Sequence, residues 1–132
     1  MDFKIPKIVK PLALSNYSEA IKDVWYVWVN PPTALFVDLV EVINKGASLK
    51  ITEKTDLKKA AKELEQQAEI ILGEQIKICA RLLGETPDNQ FAESDLRVLV
   101  EETGDTDPTL WLWIVKNIYG MIFEHRLGVK KA

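Results

Sequence analysis

Three places in this chain could do chemistry: Glu124-His125, Cys79 with Arg81 close by, and the acidic run Glu101-Glu102 with Asp105 and Asp107. A histidine beside a glutamate invites a zinc or acid–base role. His125 is the chain's single histidine, however, and no second one stands at helical spacing to complete a metal site. Its place in the last turn of a predicted helix suits a residue that complements the helix dipole. Cys79 is the only cysteine, so a disulfide framework and a thiolate cluster are both excluded. It falls on the apolar side of a predicted helix with no histidine in local reach, the setting of a buried structural thiol. Ser15, Ser18, Ser48 and Ser94 lack a nucleophile-elbow glycine pattern, and neither GxxxxGK[ST] nor GxGxxG occurs to hold phosphates. The acidic residues flank a turn and a helix start, where carboxylates are favourable for electrostatic reasons alone. The expectation is therefore no enzyme, no cofactor and no metal.

Aromatic residues offer a different kind of chemistry, the gripping of another polypeptide. Four tryptophans in 132 residues fall in two pairs, Trp25 with Trp28 and Trp111 with Trp113. In a strand Asp23–Val29, Trp25, Val27 and Val29 point to one face and Val24, Tyr26 and Trp28 to the other, so both faces are apolar. A strand with one wet face should alternate apolar with polar, so either the rest of the chain or another molecule must cover both sides. Trp111 and Trp113 stand about 200° apart around a helix. Either all four indoles are core, or at least one of each pair lies at the surface to anchor a partner.

The elements that must position these residues read as follows. Pro6 and Pro11 forbid a helix over 1–16 and imply an extended arm, with Ile5, Ile8, Val9, Leu12 and Leu14 to bury. A strand is expected over 21–29. Asn30-Pro31-Pro32 reads as a helix start with Asn30 as N-cap, opening a helix over 31–45 whose stripe is Leu35, Phe36, Leu39, Val40, Val42 and Ile43. Residues 47–54 could hold a further short strand. A second helix over 55–83 carries Leu57, Ala61, Leu64, Ala68, Ile71, Ile78 and Leu82, the seam of a helix packed along another, with Gly73 inviting a bend and Gly84 as C-cap. GETPDNQ is turn chemistry. A third helix is expected over 93–103, and Asp107-Pro108 starts a last one over 108–126 that is apolar nearly all round, hence buried centrally or shared with a partner. The predicted fold class is mainly α: one domain of about four helices with a small N-terminal β element and an extended arm.

The totals agree with a single globular domain. Apolar residues are 47% and charged residues 28% of the chain, which excludes intrinsic disorder. No run reaches the roughly 18 apolar residues of a membrane span, and MDFKIPKIVK lacks the marks of a signal peptide, so a cytoplasmic protein with no membrane partner is expected. A net charge of −3 gives no reason to expect nucleic-acid binding. A helix–turn–helix over 93–126 would imitate a DNA-binding motif, but its reading helix offers Trp111, Trp113 and Lys116 where several basic and amide groups are wanted. Charge is also unevenly spread. Lys4, Lys7 and Lys10 make the first ten residues basic, and Glu85–Asp107 holds eight carboxylates against Arg97 alone. Ends of unlike sign suit attraction to each other or to different partners, or simple solvation.

The order of a proline-bearing arm with Leu14-Ser15-Asn16-Tyr17, an apolar strand, a helical middle and the ending FAESDLRVLVEETGDTDPTLWLWIVKNIYGMIFEHR resembles the small tail assembly chaperones of long-tailed bacteriophages and prophages. In those proteins a polar turn, a phenylalanine or threonine, an acidic-capped helix, a short break and a closing helix follow the long helix, much as residues 85–126 do here. The tryptophan-rich closing helix and VWVNPP depart from that pattern. The resemblance implies a non-catalytic role in the host cytoplasm: binding the tape measure protein before the tail tube polymerises, recruiting tail tube subunits, and often a longer frameshifted product. On that reading Trp25, Trp28, Trp111, Trp113, Tyr119 and Phe123 are the expected apolar contacts, Lys4, Lys7 and Lys10 steer an acidic partner, and exposed apolar surface favours homo-oligomers. Two rival readings remain: a head–tail connector or tail completion protein using the arm as a strap, and a small helical DNA-binding regulator.

Overall fold

Proline chemistry shapes the first element. The computed structural model describes residues 5–47 and 57–128. Within them Val9–Ala13 forms β1 and pairs antiparallel with β2, Val24–Trp28, in the register Val9 opposite Trp28 and Ala13 opposite Val24. The amide of Leu14 donates to the Asp23 carbonyl at 3.0 Å and that of Val29 to the Ile8 carbonyl at 2.9 Å. Hydrogen-bonded pairs alternate along such a ladder, so Lys10 and Leu12 turn their backbone groups toward β2 while Pro11 turns its nitrogen to the open edge. No ladder donor is lost there, which is why a proline is tolerated. Edge pairing by another chain is discouraged by the same residue. The arm expected over 1–16 is thus, over its described part, a paired strand followed by a 3₁₀ turn, Leu14–Asn16.

The strand expected over 21–29 is shorter, because Ile21 closes a turn onto the Ser18 carbonyl. Helix α1 spans Thr33–Ala47 and buries Leu35, Leu39 and Val42. Asn30 does not cap it. The Asn30 side chain accepts from the Ile8 amide and the Trp28 indole instead, and the α1 amides of Leu35 and Phe36 donate to the Pro32 carbonyl. The strand considered over 47–54 lies, apart from Ala47, outside the described residues.

Helix α2, Leu57–Leu82, runs through Gly73 without a break. Its helical hydrogen bonds continue on both sides of that residue, and intrinsic propensity is overridden by packing. The expected seam is covered only toward its end: Leu82 is buried and Ile71 and Ile78 half-buried, whereas Ala61 and Ala68 are exposed, and the residues α2 buries beside Leu82 are Ile76, Cys79 and Ala80, outside that seam. Gly84 is not a C-cap. Leu83–Thr86 forms β3 directly after the helix and turns back through Pro87-Asp88 into β4, Asn89–Gln90. β3 pairs antiparallel with β2, Val27 opposite Leu83, giving among the described residues one four-stranded sheet in the order β1-β2-β3-β4. In the sequence this hairpin shows only turn chemistry, because its strands are too short to display a period. Gln90 also donates its side-chain amide to the Arg81 carbonyl, satisfying one of the last-turn acceptors of α2.

Helix α3, Glu93–Gly104, begins with the Asp95 carboxylate reaching back to the Ala92 amide at 3.2 Å, half of a capping box. Helix α4, Thr109–Leu127, ends on Gly128 in the left-handed conformation at φ 62°, a position glycine takes without strain. The inward face of β2 and faces of all four helices meet in one cluster that includes Leu12, Trp25, Val27, Leu39, Leu96, Ile114 and Ile118. Each such aliphatic side chain stabilises the fold by about 1.5–3 kcal/mol. The chain is mainly α with a small β element, as the sequence predicts.

A Cβ at Gly84 would lie 2.5 Å from the Asn89 carbonyl oxygen and 2.9 Å from that of Thr86. Gly84→Ala is therefore expected to lower unfolding free energy by about 1–3 kcal/mol, measured as a fall in the urea midpoint.

Candidate functional site

Helix α4 decides which aromatic residues are available. Its inward face, Leu110, Trp111, Ile114, Val115, Ile118 and Ile122, is buried. The outward side is nearly as apolar: Leu112, Lys116, Tyr119, Phe123 and Leu127 follow steps of four, three, four and four, the spacing of one helical face. Leu112 is 50% exposed, Phe123 41% and Leu127 59%. Tyr119 and Phe123 stack with ring centroids 5.7 Å apart, and Tyr119 stacks in turn on Phe36 of α1 at 5.9 Å and 6°. The Arg126 guanidinium lies 5.1 Å from the Phe36 ring centre and donates to the Thr33 hydroxyl at 3.1 Å. An aromatic ladder thus crosses from α4 to α1 and ends under a cation.

The tryptophans divide. Trp25 and Trp111 are core residues, each 8% exposed; Trp25 meets Phe91 edge-on at 5.0 Å, and the Trp111 indole donates to the Gln75 side chain at 2.9 Å. As partner contacts both expectations are corrected, because the fold itself uses their area. Gln75, which interrupts the α2 seam, is there to accept that indole proton. Trp28 and Trp113 are half-buried. Trp113 packs on Tyr17 at 5.4 Å.

The two apolar faces of β2 have different fates. Trp25, Val27 and Val29 face the core, while Val24, Tyr26 and Trp28 form an outer face that remains partly open. Lys7 rests its ammonium 5.0 Å from the Trp28 ring centre. It therefore shields an apolar face of its own chain rather than extending free toward an acidic partner. Lys10 is exposed on β1, and Lys4 lies outside the described residues. Asn30 holds this corner together: its side-chain oxygen accepts from the Ile8 amide at 2.7 Å and the Trp28 indole at 2.9 Å, and its amide donates to the Pro6 carbonyl at 2.9 Å.

Cys79 is fully buried, and burial pushes its thiol up to about 12, so it stays protonated. His125 stands in the last turn of α4. Asp107 accepts from the Thr109 amide at 3.2 Å and hydroxyl at 2.7 Å, the work of the expected cap, although the helix starts one residue later than predicted. Its other oxygen accepts from the Tyr17 hydroxyl at 2.5 Å, joining residues 90 positions apart. That bond is the main reason the Asp107 carboxyl sits below its ordinary value, with Thr109 adding to it, and the main reason the Tyr17 phenol sits above its own.

Leu112, Leu127 and Phe36 complete the open face and were missed by sequence reading. Phe36 belongs to a regular core stripe, and an all-apolar helix carries no signal of which side will face out. No family model matches the chain, and no curated protein or solved structure matches it. The α1–α4 face is a half-open aromatic ladder flanked by exposed leucines, a geometry suited to holding an apolar polypeptide surface.

Two outcomes follow from these contacts. Asn30→Ala leaves the Ile8 amide and the Trp28 indole without their acceptor and should cost about 1–3 kcal/mol, with faster hydrogen exchange at both groups. For the Tyr17–Asp107 bond, the contribution of Asp107 is present above the ordinary carboxyl value of 3.8 and lost as pH falls through its lowered one. That of Tyr17 is present below the ordinary phenol value of 10.0 and lost as pH rises through its raised one. Tryptophan emission from the neighbouring Trp113 should report the acid limb, and Asp107→Asn should abolish it.

Proposed function

We propose that this chain is a non-catalytic, protein-binding chaperone of bacteriophage tail assembly, acting in the bacterial cytoplasm to hold the tape measure protein and recruit tail tube subunits. The observation that carries the protein-binding part is the open face of α4, where Leu112, Phe123 and Leu127 are exposed beside the Phe36–Tyr119 stack. A holdase requires this combination: apolar side chains displayed on a charged body, available to an apolar helix of a client before the client finds its final partners. Rigid stacked rings supply contact area at little cost in side-chain entropy. The tail-assembly part is supported by the layout of residues 14–17 and 85–126. Without its client, the same face would favour self-association.

The rival connector reading needs a free strap. Residues 9–13 are instead paired along β2, and the stretch before them is held by Asn30.

Leu112→Glu with Phe123→Glu places two carboxylates on the face at exposed positions. Co-purification of the chain with tape measure segments from the same genome should fall by about tenfold or more in that variant, with the melting temperature preserved. Purified virions should lack the chain. Recovery of stoichiometric chain in virions, or tape measure binding unchanged by the double variant, would sink the proposal.

A further inference from the structure

Away from the α1–α4 face, a cleft of about 340 Å³ opens where the start of β2 and the end of β3 meet α3. Its floor is apolar, made by the edge-on pair Trp25 and Phe91 with Leu99 beside them. Its rim is acidic: Asp23, Glu85 and Asp95. Asp95 is partly used at the start of α3, but the Asp23 and Glu85 carboxylates form no hydrogen bond or ion pair among the described residues. The surrounding segment deepens the negative field, since Glu85–Asp107 holds eight carboxylates and its one cation, Arg97, is bound to Glu69 at 2.7 Å.

We propose that this cleft docks a short basic–apolar segment of a partner protein, with an arginine or lysine at the carboxylate rim and a neighbouring apolar side chain on the half-buried Phe91 and Leu99, which the core residue Trp25 backs. Charge complementarity selects the occupant. An anionic segment would be repelled and a purely apolar one would leave the rim unanswered, whereas a long cationic side chain lays an aliphatic stem on the floor and keeps its charged head at the edge. A metal ion is disfavoured, because no group of three acidic, histidine or cysteine side chains among the described residues converges closely enough to hold one. The volume falls at the small end of ligand sites, which suits one or two side chains rather than a folded surface. No side chain of the open α1–α4 face lines this cleft, so binding at either surface can fail without the other.

The test is an anisotropy titration of the full chain with a fluorescein-labelled peptide of alternating leucine and arginine, alongside its citrulline counterpart of equal shape and no charge. The arginine peptide should bind at least about tenfold more tightly, and added salt should weaken it. Asp23→Asn with Glu85→Gln should cost about tenfold, whereas Glu101→Gln with Glu102→Gln, which removes the same charge outside the cleft, should change affinity by less than about twofold. Both doubles lie at exposed positions, and circular dichroism should verify that both remain folded. Equal losses in the two doubles would reduce the effect to a diffuse field, and equal binding of the citrulline peptide would reduce it to greasy contact; either result overturns the proposal. So does a homo-oligomer that the cleft double alone disperses, since a second copy would then be the occupant.

Discussion

A helix with apolar side chains around most of its circumference can hide only part of that circumference against one core, and α4 is such a helix. Its inward residues, from Leu110 to Ile122, lie at the centre of the cluster that draws together β2 and the other three helices. Once that side is satisfied, Leu112, Phe123 and Leu127 stay largely exposed, Phe123 being covered in part by its stack on Tyr119. Stability and exposed apolar surface therefore have one origin. The side that organises the core leaves the opposite side open, and Phe36 and Tyr119 extend the open side across to α1.

The remaining contacts show how a small chain restrains its surplus apolar area. Trp28 would otherwise present a bare ring on the outer sheet face, but Lys7 lies over it and Asn30 takes its indole proton. Pro11 interrupts the donors of the free sheet edge, and Arg126 covers one end of the aromatic ladder. Each device blunts an interaction that would otherwise be indiscriminate, and none is placed on Leu112 or Leu127. Long-range polar ties close the structure at a few points, above all the Tyr17–Asp107 bond, which fastens the turn after β1 to the start of α4. Trp113, packed on Tyr17, is held half-covered by that tie.

What was legible in the sequence was legible for local reasons. Helical stripes such as Leu35, Leu39 and Val42 show their period within a few turns, and Asp107-Pro108 marks a helix start by chemistry confined to neighbouring residues. Gly84 misled because a glycine after a helix usually serves its end. Here its missing Cβ instead makes room for the Asn89 carbonyl of the returning hairpin, which pairs Gln90 with Gly84 only six residues on but has strands too short for a pattern. Asn30 misled likewise: the sequence shows a polar residue before two prolines, while its real partners, Pro6 and Ile8, arrive from more than twenty residues away. The α2 seam has the spacing of a packed helix, yet Ala61 and Ala68 stay exposed because spacing states what a face could contact and not whether anything reaches it.

By itself, the sequence determined the mainly helical class, the place of each helix to within a residue or two, and the presence of more aromatic surface than the chain needs for its core. These depend on backbone preference and on hydrophobic period, both of which act over a few neighbouring positions. Only the tertiary structure decided that Trp25 and Trp111 go inside while Trp28 and Trp113 stay at the margin, that Lys7 is turned onto its own strand, and that Asp23 and Glu85 come to ring an apolar cleft. Such choices are made by how much room distant segments leave for one another when they close on a shared core, a quantity that no window along the chain contains.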